Sequence, residues 1–322
     1  GLRQPEAYEV FTEPVVDLFA AETATLLAWT DYLVGDALDR VSPLVRERIG
    51  REIDRRVLTP CLERDDFGWM GLKGQKVNNW DPWICSNWLT AALLVEKDPA
   101  RRARSVHKAM RCLDAFLAGY PADGGCDEGP GYWDRAGGSL FDCLELLNGA
   151  SGGKIDVFAN PLIKEIGRYI GRVHIAGPWA VNFADAAAKA GGSASLIFRY
   201  GKAIGDKGMT GFGAWLAREQ GLGKDAVAGS FGVLGRTLPA LFSLGGLADT
   251  EPKEPLLRDA WFPDLQVMAA RSFEGSTRGL YLAAKGGHND ESHNHNDVGS
   301  CIVYADGDPV LIDIGVETYT AK

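Results

Sequence analysis

The stretch Cys301-Ile302-Val303-Tyr304-Ala305-Asp306-Gly307-Asp308-Pro309-Val310-Leu311-Ile312-Asp313 decides the fold class. Two apolar runs flank Asp306-Gly307, and an Asp-Gly pair between such runs is the residue choice of a two-residue hairpin turn. Upstream, Leu280, Leu282 and Ala284 alternate with Tyr281 and Ala283, again at the period of a strand. Before about residue 250 the period is helical. Val41, Val45, Ile49, Ile53 and Val57 recur every four residues, which predicts one amphipathic helix with Ser42-Pro43 near its start. Val106, Met110, Leu113 and Leu117 mark another, and Leu162, Ile163, Ile166, Ile170 and Val173 a third. Further helical windows cover Trp88–Glu96, Gly138–Leu147, Ser193–Ala203 and Gly213–Glu219. Clusters of Gly, Pro, Asp and Ser at 119–125 and 151–154 read as loops.

Helices followed by strands imply an α+β chain of two segregated domains. The reading is a helical domain over 1–255 and an antiparallel β-sheet domain over 256–322, joined in the Pro-bearing stretch Asp249–Arg258. Helical hairpins of this length pack as bundles, solenoids or toroids. Roughly 65 residues with about four strands is little for an independent sheet domain, so the sheet is expected to be truncated and to continue beyond Lys322.

The chain has 322 residues, 46% hydrophobic and 24% charged, the balance of a globular protein with a sizeable core. No apolar run approaches the ~18 residues of a membrane span. A net charge of −9 argues against nucleic acid or an anionic membrane as the main partner, but leaves room for a locally basic cleft that takes an acidic sugar. Cys61, Cys85, Cys112, Cys126, Cys143 and Cys301 form no CxxC pair, and several sit among apolar neighbours. They read as mostly free, buried thiols rather than disulfides, which leans toward a reducing, cytoplasmic compartment. A periplasmic or secreted location stays open if a leader has been removed.

Chemistry concentrates in a few segments. Gly286-Gly287-His288-Asn289-Asp290-Glu291-Ser292-His293-Asn294-His295-Asn296-Asp297-Val298-Gly299 holds three of the chain's five His. His293 and His295 share a face if the segment is extended, an arrangement that suits proton transfer or a metal. If Asp306-Gly307 forms a two-residue turn, Asp313 falls opposite Ser300, and it meets His295 only where the chain bends, with Gly299 the obvious place. Asp123-Gly124-Gly125-Cys126-Asp127-Glu128-Gly129-Pro130-Gly131-Tyr132-Trp133 is a glycine-rich loop with a phenol, an indole and carboxylates. Val77-Asn78-Asn79-Trp80-Asp81-Pro82-Trp83 offers indole faces for pyranose rings and amides that donate to carboxylate.

Glu128-Gly129-Pro130-Gly131-Tyr132, Ser292-His293-Asn294-His295-Asn296-Asp297-Val298-Gly299 and Val310-Leu311-Ile312-Asp313 together resemble the heparinase II/III-like polysaccharide lyases, relatives of glycosaminoglycan and oligoalginate lyases. The resemblance runs from about Asn78 to the end of the chain. It implies an (α/α) toroid followed by antiparallel sheets, and β-elimination at a 4-linked uronic acid. In that reaction the C5 proton leaves, the 4-O bond breaks, and the carboxylate must be neutralised to stabilise the enolate. By resemblance Tyr132 is the acid, or both acid and base. Asn79, or its neighbour Asn78, neutralises the carboxylate, and His293 is a catalytic histidine supplied by the sheet. His295 and Asp313 are two ligands of a divalent metal whose third ligand is expected beyond Lys322; their chemistry suits zinc or manganese better than calcium. Trp80, Glu128, Trp133, Arg135 and His288 are assigned to substrate binding alongside Asn78. Some relatives carry a His near the neutralising residue, where this chain has Gln75, Lys76 and Val77.

Other readings use the same residues. A glycoside hydrolase on a helical barrel needs two opposed carboxylates, and Asp127 and Glu128 are adjacent. His293-Asn294-His295-Asn296-Asp297 fits the HxHxD opening of a metallo-β-lactamase pattern, but Val298 stands where that pattern needs His. A glycan-binding protein would keep the Trp residues without needing Tyr132 and His293 together.

Overall fold

The computed structural model describes residues 14–222, 234–289 and 295–315. His293 lies outside the described residues. The helices are α1 (Leu18–Val41), α2 (Pro43–Ile53), α3 (Thr59–Glu63), α4 (Trp80–Val95), α5 (Pro99–Ala118), α6 (Pro130–Trp133), α7 (Gly137–Ala150), α8 (Pro161–Arg172), α9 (Ala194–Ile204), α10 (Lys207–Glu219) and α11 (Leu234–Asp249). A two-stranded ribbon, β1 (His174–Ala176) with β2 (Trp179–Ala180), interrupts them. The strands β3 (Asp259–Phe262), β4 (Val267–Arg271), β5 (Leu280–Lys285), β6 (Cys301–Ala305) and β7 (Asp308–Leu311) then form one antiparallel sheet in chain order.

Local chemistry sets the helix starts. Ser42, Asp98 and Asn160 each precede a proline, and each side chain accepts from the second residue of the helix that follows. An oxygen cap followed by a residue with no N–H to satisfy is the favoured beginning. Asp17, Ser193 and Asp206 cap α1, α9 and α10 by accepting from an N–H three residues on.

The single helix expected over Val41–Val57 is divided. Val41 ends α1 and is exposed, and Val45 is exposed on α2, while Ile49, Ile53 and Val57 are buried. A four-residue repeat drifts about 40° per step on an α-helix, so residues sixteen apart cannot share one narrow face. Beyond Ile53 a π turn, Asp54–Leu58, joins α2 to α3 and accommodates Pro60, which has no N–H to donate.

Packing runs from α1 to α4, α4 to α5 and α7, α7 to α8 and α9, α9 to α10 and α11, and from α11 back to α1. The buried cluster continues from these helices into the inner face of the sheet through Ala260, Phe262, Val267, Ala269, Tyr281, Ala283, Ile302 and Tyr304. Alternation along β3 to β6 produces that face. Leu280 and Leu282 are on the outer one.

The hairpin forms as read. Asp306 and Gly307 have φ of 52° and 92°, the left-handed pair of a type I′ turn. A bulge at Val310 then moves the register by one, so that Val303 faces Leu311. Gly299 has φ of 89°, which places the bend ahead of β6.

Candidate functional site

Asn79 stands at the start of α4 and is buried. Its Nδ2 donates to Glu128 Oε2 at 2.9 Å, and Glu128 is also buried. This bond ties the loop before α6 to the helical half. Asn78 instead turns back, its Oδ1 accepting from Trp80 N at 3.1 Å. Trp80 is 40% exposed, so its indole is available beside Asn79.

Gly129 has φ of 84°, and a Cβ there would lie 2.6 Å from the Phe183 carbonyl oxygen. Only glycine permits this approach. The loop therefore rests against 183–187, and Tyr132, half-buried on α6, is carried to that same junction. From below, the Tyr169 hydroxyl donates to the Cys126 carbonyl. From the side, Asp123 Oδ2 accepts from the Asp264 and Leu265 N–H groups, and Asp264 Oδ2 accepts from the Ala122 and Asp123 N–H groups.

The sheet reaches the same place. His295 Nε2 is 2.6 Å from Asp185 Oδ1, and Asp297 Oδ2 accepts from Ala184 N at 2.6 Å. Asn182 Nδ2 donates to the Asp313 carbonyl at 3.4 Å. Ala184 holds φ of 60°, a left-handed conformation that costs an L-residue roughly 1–2 kcal/mol, which marks this contact as over-determined by its surroundings. Segments around 79, 128–132, 182–185 and 295–297 thus converge.

Asn182, Ala184 and Asp185 were not singled out from the sequence, where Asn182-Phe183-Ala184-Asp185 carries no motif. Lys285 is also buried at this junction, lining a small cavity with Asp127, Gly129, Pro130, Phe183 and Ala184.

Other assigned residues lie elsewhere. Trp133 is fully buried, donates from Nε1 to the Ile166 carbonyl at 2.7 Å and stacks on Tyr200. It belongs to the core rather than to a sugar-binding surface, because adjacent helical residues point about 100° apart and Tyr132 takes the outward direction. Arg135 lies over the Trp83 ring at 3.9 Å and 3.3 Å from Glu22. It lines a cavity of about 70 Å³ with Trp29, Asp142 and Arg236, and burial lowers its pKa. His288 is exposed just past β5.

His295 and Asp313 do not assemble a metal centre with the described residues. His295 is engaged by Asp185, and Asp313 Oδ1 accepts from Gly315 N. No described group of three His, Cys, Asp or Glu donors within 4.8 Å contains either residue.

No family model and no curated protein matches the sequence. Solved structures do. A heparinase III structure with methylated lysines superposes over 95% of this chain and 41% of its own, with TM-score 0.62 and 14% identity. A second heparinase III structure covers 94% and 42%, with TM-score 0.54 and 14% identity. The chain thus spans about two fifths of the length of those proteins. Helices followed by an antiparallel sheet, in this order and arrangement, make a fold that this chain shares with those heparinase III structures.

Proposed function

We propose that the chain works as a polysaccharide lyase that cleaves a 4-linked uronate glycan by β-elimination. The observation that carries this reading is the buried Asn79–Glu128 bond at the foot of the loop that presents Tyr132. An amide has two N–H donors. Glu128 takes one and fixes the orientation; the other is directed to the uronate carboxylate. Donation to that group stabilises the negative charge that develops as C5 loses its proton. Tyr132 then protonates the departing 4-oxygen, and acts also as base where the sugar's configuration presents C5 to the same face. His293, which lies outside the described residues, is proposed as the catalytic histidine of the same site. A divalent metal, zinc or manganese, at His295 and Asp313 remains part of the proposal, but none of these steps passes through it.

The helical half is proposed as an incomplete (α/α) toroid. The circuit of contacts from α1 through α4, α7, α9 and α11 back to α1 supports this. The likeness to heparinase III makes glycosaminoglycans the first substrates to try, with alginate next. A hydrolase is less well supported, because Glu128, one of its two carboxylates, is buried against Asn79.

The test is a screen of the protein against uronate glycans, following the ultraviolet absorbance of the conjugated C4=C5 bond. A rise with any glycan is the expected result. New reducing ends without a rise in absorbance would mean hydrolysis and would overturn the proposal.

A further inference from the structure

Asp81, Cys85 and Cys112 meet inside the helical half. Asp81 and Cys85 are one turn apart on α4 and share a face. Cys112 comes from α5, which packs on α4. One donor atom from each lies within 4.8 Å of the others, and all three side chains are buried. The Cys85 thiol is 3.7 Å from Asp81 Oδ1. Asp81 Oδ2 is buried with no hydrogen-bond partner. Besides burial itself, the neighbours that bear on this carboxyl are Cys112 and Cys85, not a lysine or arginine.

Buried thiols alone need no explanation, since cysteine packs as a small apolar residue. A carboxyl with an idle oxygen beside them does, because an unsatisfied buried polar atom is costly. We infer that Asp81, Cys85 and Cys112 bind a thiophilic divalent cation, zinc first, with Cys143 as a further donor.

Zinc holds sulfur at about 2.3 Å and carboxylate oxygen at about 2.0 Å, so tetrahedral ligands of these two kinds stand about 3.5 Å apart. The observed 3.7 Å needs little adjustment. Cys143 is close enough to interact electrostatically with both Cys85 and Asp81, and its thiol contacts the Pro82 carbonyl at 3.5 Å. Each thiol gives its proton to solvent on becoming a ligand. Because the site is enclosed, the ion enters as the chain folds. It would pin the first turns of α4, and hence Asn79, to α5. The rival is an uncharged Asp81: burial pushes its carboxyl well up toward the protonated form without any ion.

The experiment is to refold the protein from denaturant with cobalt(II), or with zinc, and remove the excess. A thiolate-to-cobalt charge-transfer band in the near ultraviolet is expected. Measured in the His295→Ala background, which removes the ion proposed at His295 and Asp313, mass spectrometry should still find about one zinc per chain, falling at least about tenfold when Cys85→Ser and Cys112→Ser are added. Two results would overturn the site. One is no charge-transfer band in the unsubstituted protein. The other is zinc that the His295→Ala protein lacks, or that it keeps when both cysteines are replaced. The cobalt spectrum is read on the unsubstituted chain, so a variant that fails to fold cannot shield the proposal.

Discussion

Glu128 sits where its carboxylate decides the aim of the Asn79 amide. Replacing it with alanine leaves the Asn79 N–H without its buried partner, which should cost about 1–3 kcal/mol, read as a lower urea midpoint. If Asn79 neutralises the uronate carboxylate as proposed, the same variant should lose kcat more than it raises KM in a uronate lyase assay, because that charge grows in the transition state. Tyr132→Phe should abolish turnover with the unfolding midpoint and glycan affinity nearly unchanged. Retained turnover would remove Tyr132 from the chemistry. The sequence drew attention to this loop, with Glu128 and Tyr132, and to the Asn pair ahead of α4, and the structure brings Asn79 and Glu128 into contact. Asp185 was not legible. Its role arises from His295, far away in the chain, which docks on it. Trp133 misled because adjacency in sequence is not adjacency on a helix.

Among the elements, α9 and α10 show how closely two backbones can be pressed together. A Cβ at Gly213 would lie 2.7 Å from Phe198 N and 2.8 Å from the Ala194 carbonyl oxygen. Both clashes are with backbone, so a side chain cannot simply turn aside. Gly213→Ala should therefore force the helices apart and cost about 1–3 kcal/mol, measured by thermal or urea unfolding. Most helices could be located from caps and apolar spacing, as α8 shows with Asn160-Pro161 ahead of Ile163, Ile166 and Ile170. The long helix α1 could not. Its buried face is Ala21, Ala24, Thr25 and Ala28, small residues that let α4 come near, while Phe19 and Leu26 point to solvent. Apolar periodicity is nearly silent on such a face. The ribbon β1–β2 is too short for any periodic signal.

Across the whole molecule, a few buried polar groups hold the helices to the sheet. Arg271 Nη2 donates to the His174 and Ile175 carbonyls, and its Nε to the Leu257 carbonyl. Nearby, Glu254 in the connecting stretch accepts from Gly177 N and pairs with His174 Nε2 at 2.8 Å. Burial pushes the Glu254 carboxyl up, but these hydrogen bonds more than offset it, and the net value lies below the ordinary 4.5. A depressed carboxyl contributes stability that is present above the unfolded value and is lost as pH falls through the folded one. The protein should therefore lose urea resistance below about pH 4.5, and Glu254→Gln should be less stable at neutral pH with a shallower acid loss. An equal acid slope in both proteins would exclude Glu254 as a source. The order of helices and strands was plain from the change of period near 255. How the two halves join was not, since Arg271 and Glu254 look like ordinary surface charges in sequence.

One feature of the sheet governs how the protein must be handled. On β7, Val310 and Leu311 are exposed, as is Ile312 just after it, and this strand is the last of its sheet among the described residues. An edge of this kind has unsatisfied main-chain groups and sticky side chains, and it invites a second molecule to continue the ladder. Pro309 removes one donor and the bulge twists the strand, which gives partial protection. Wherever the sheet ends at β7, concentrated stocks should self-associate through that strand, and Val310→Lys should keep them monodisperse in light scattering.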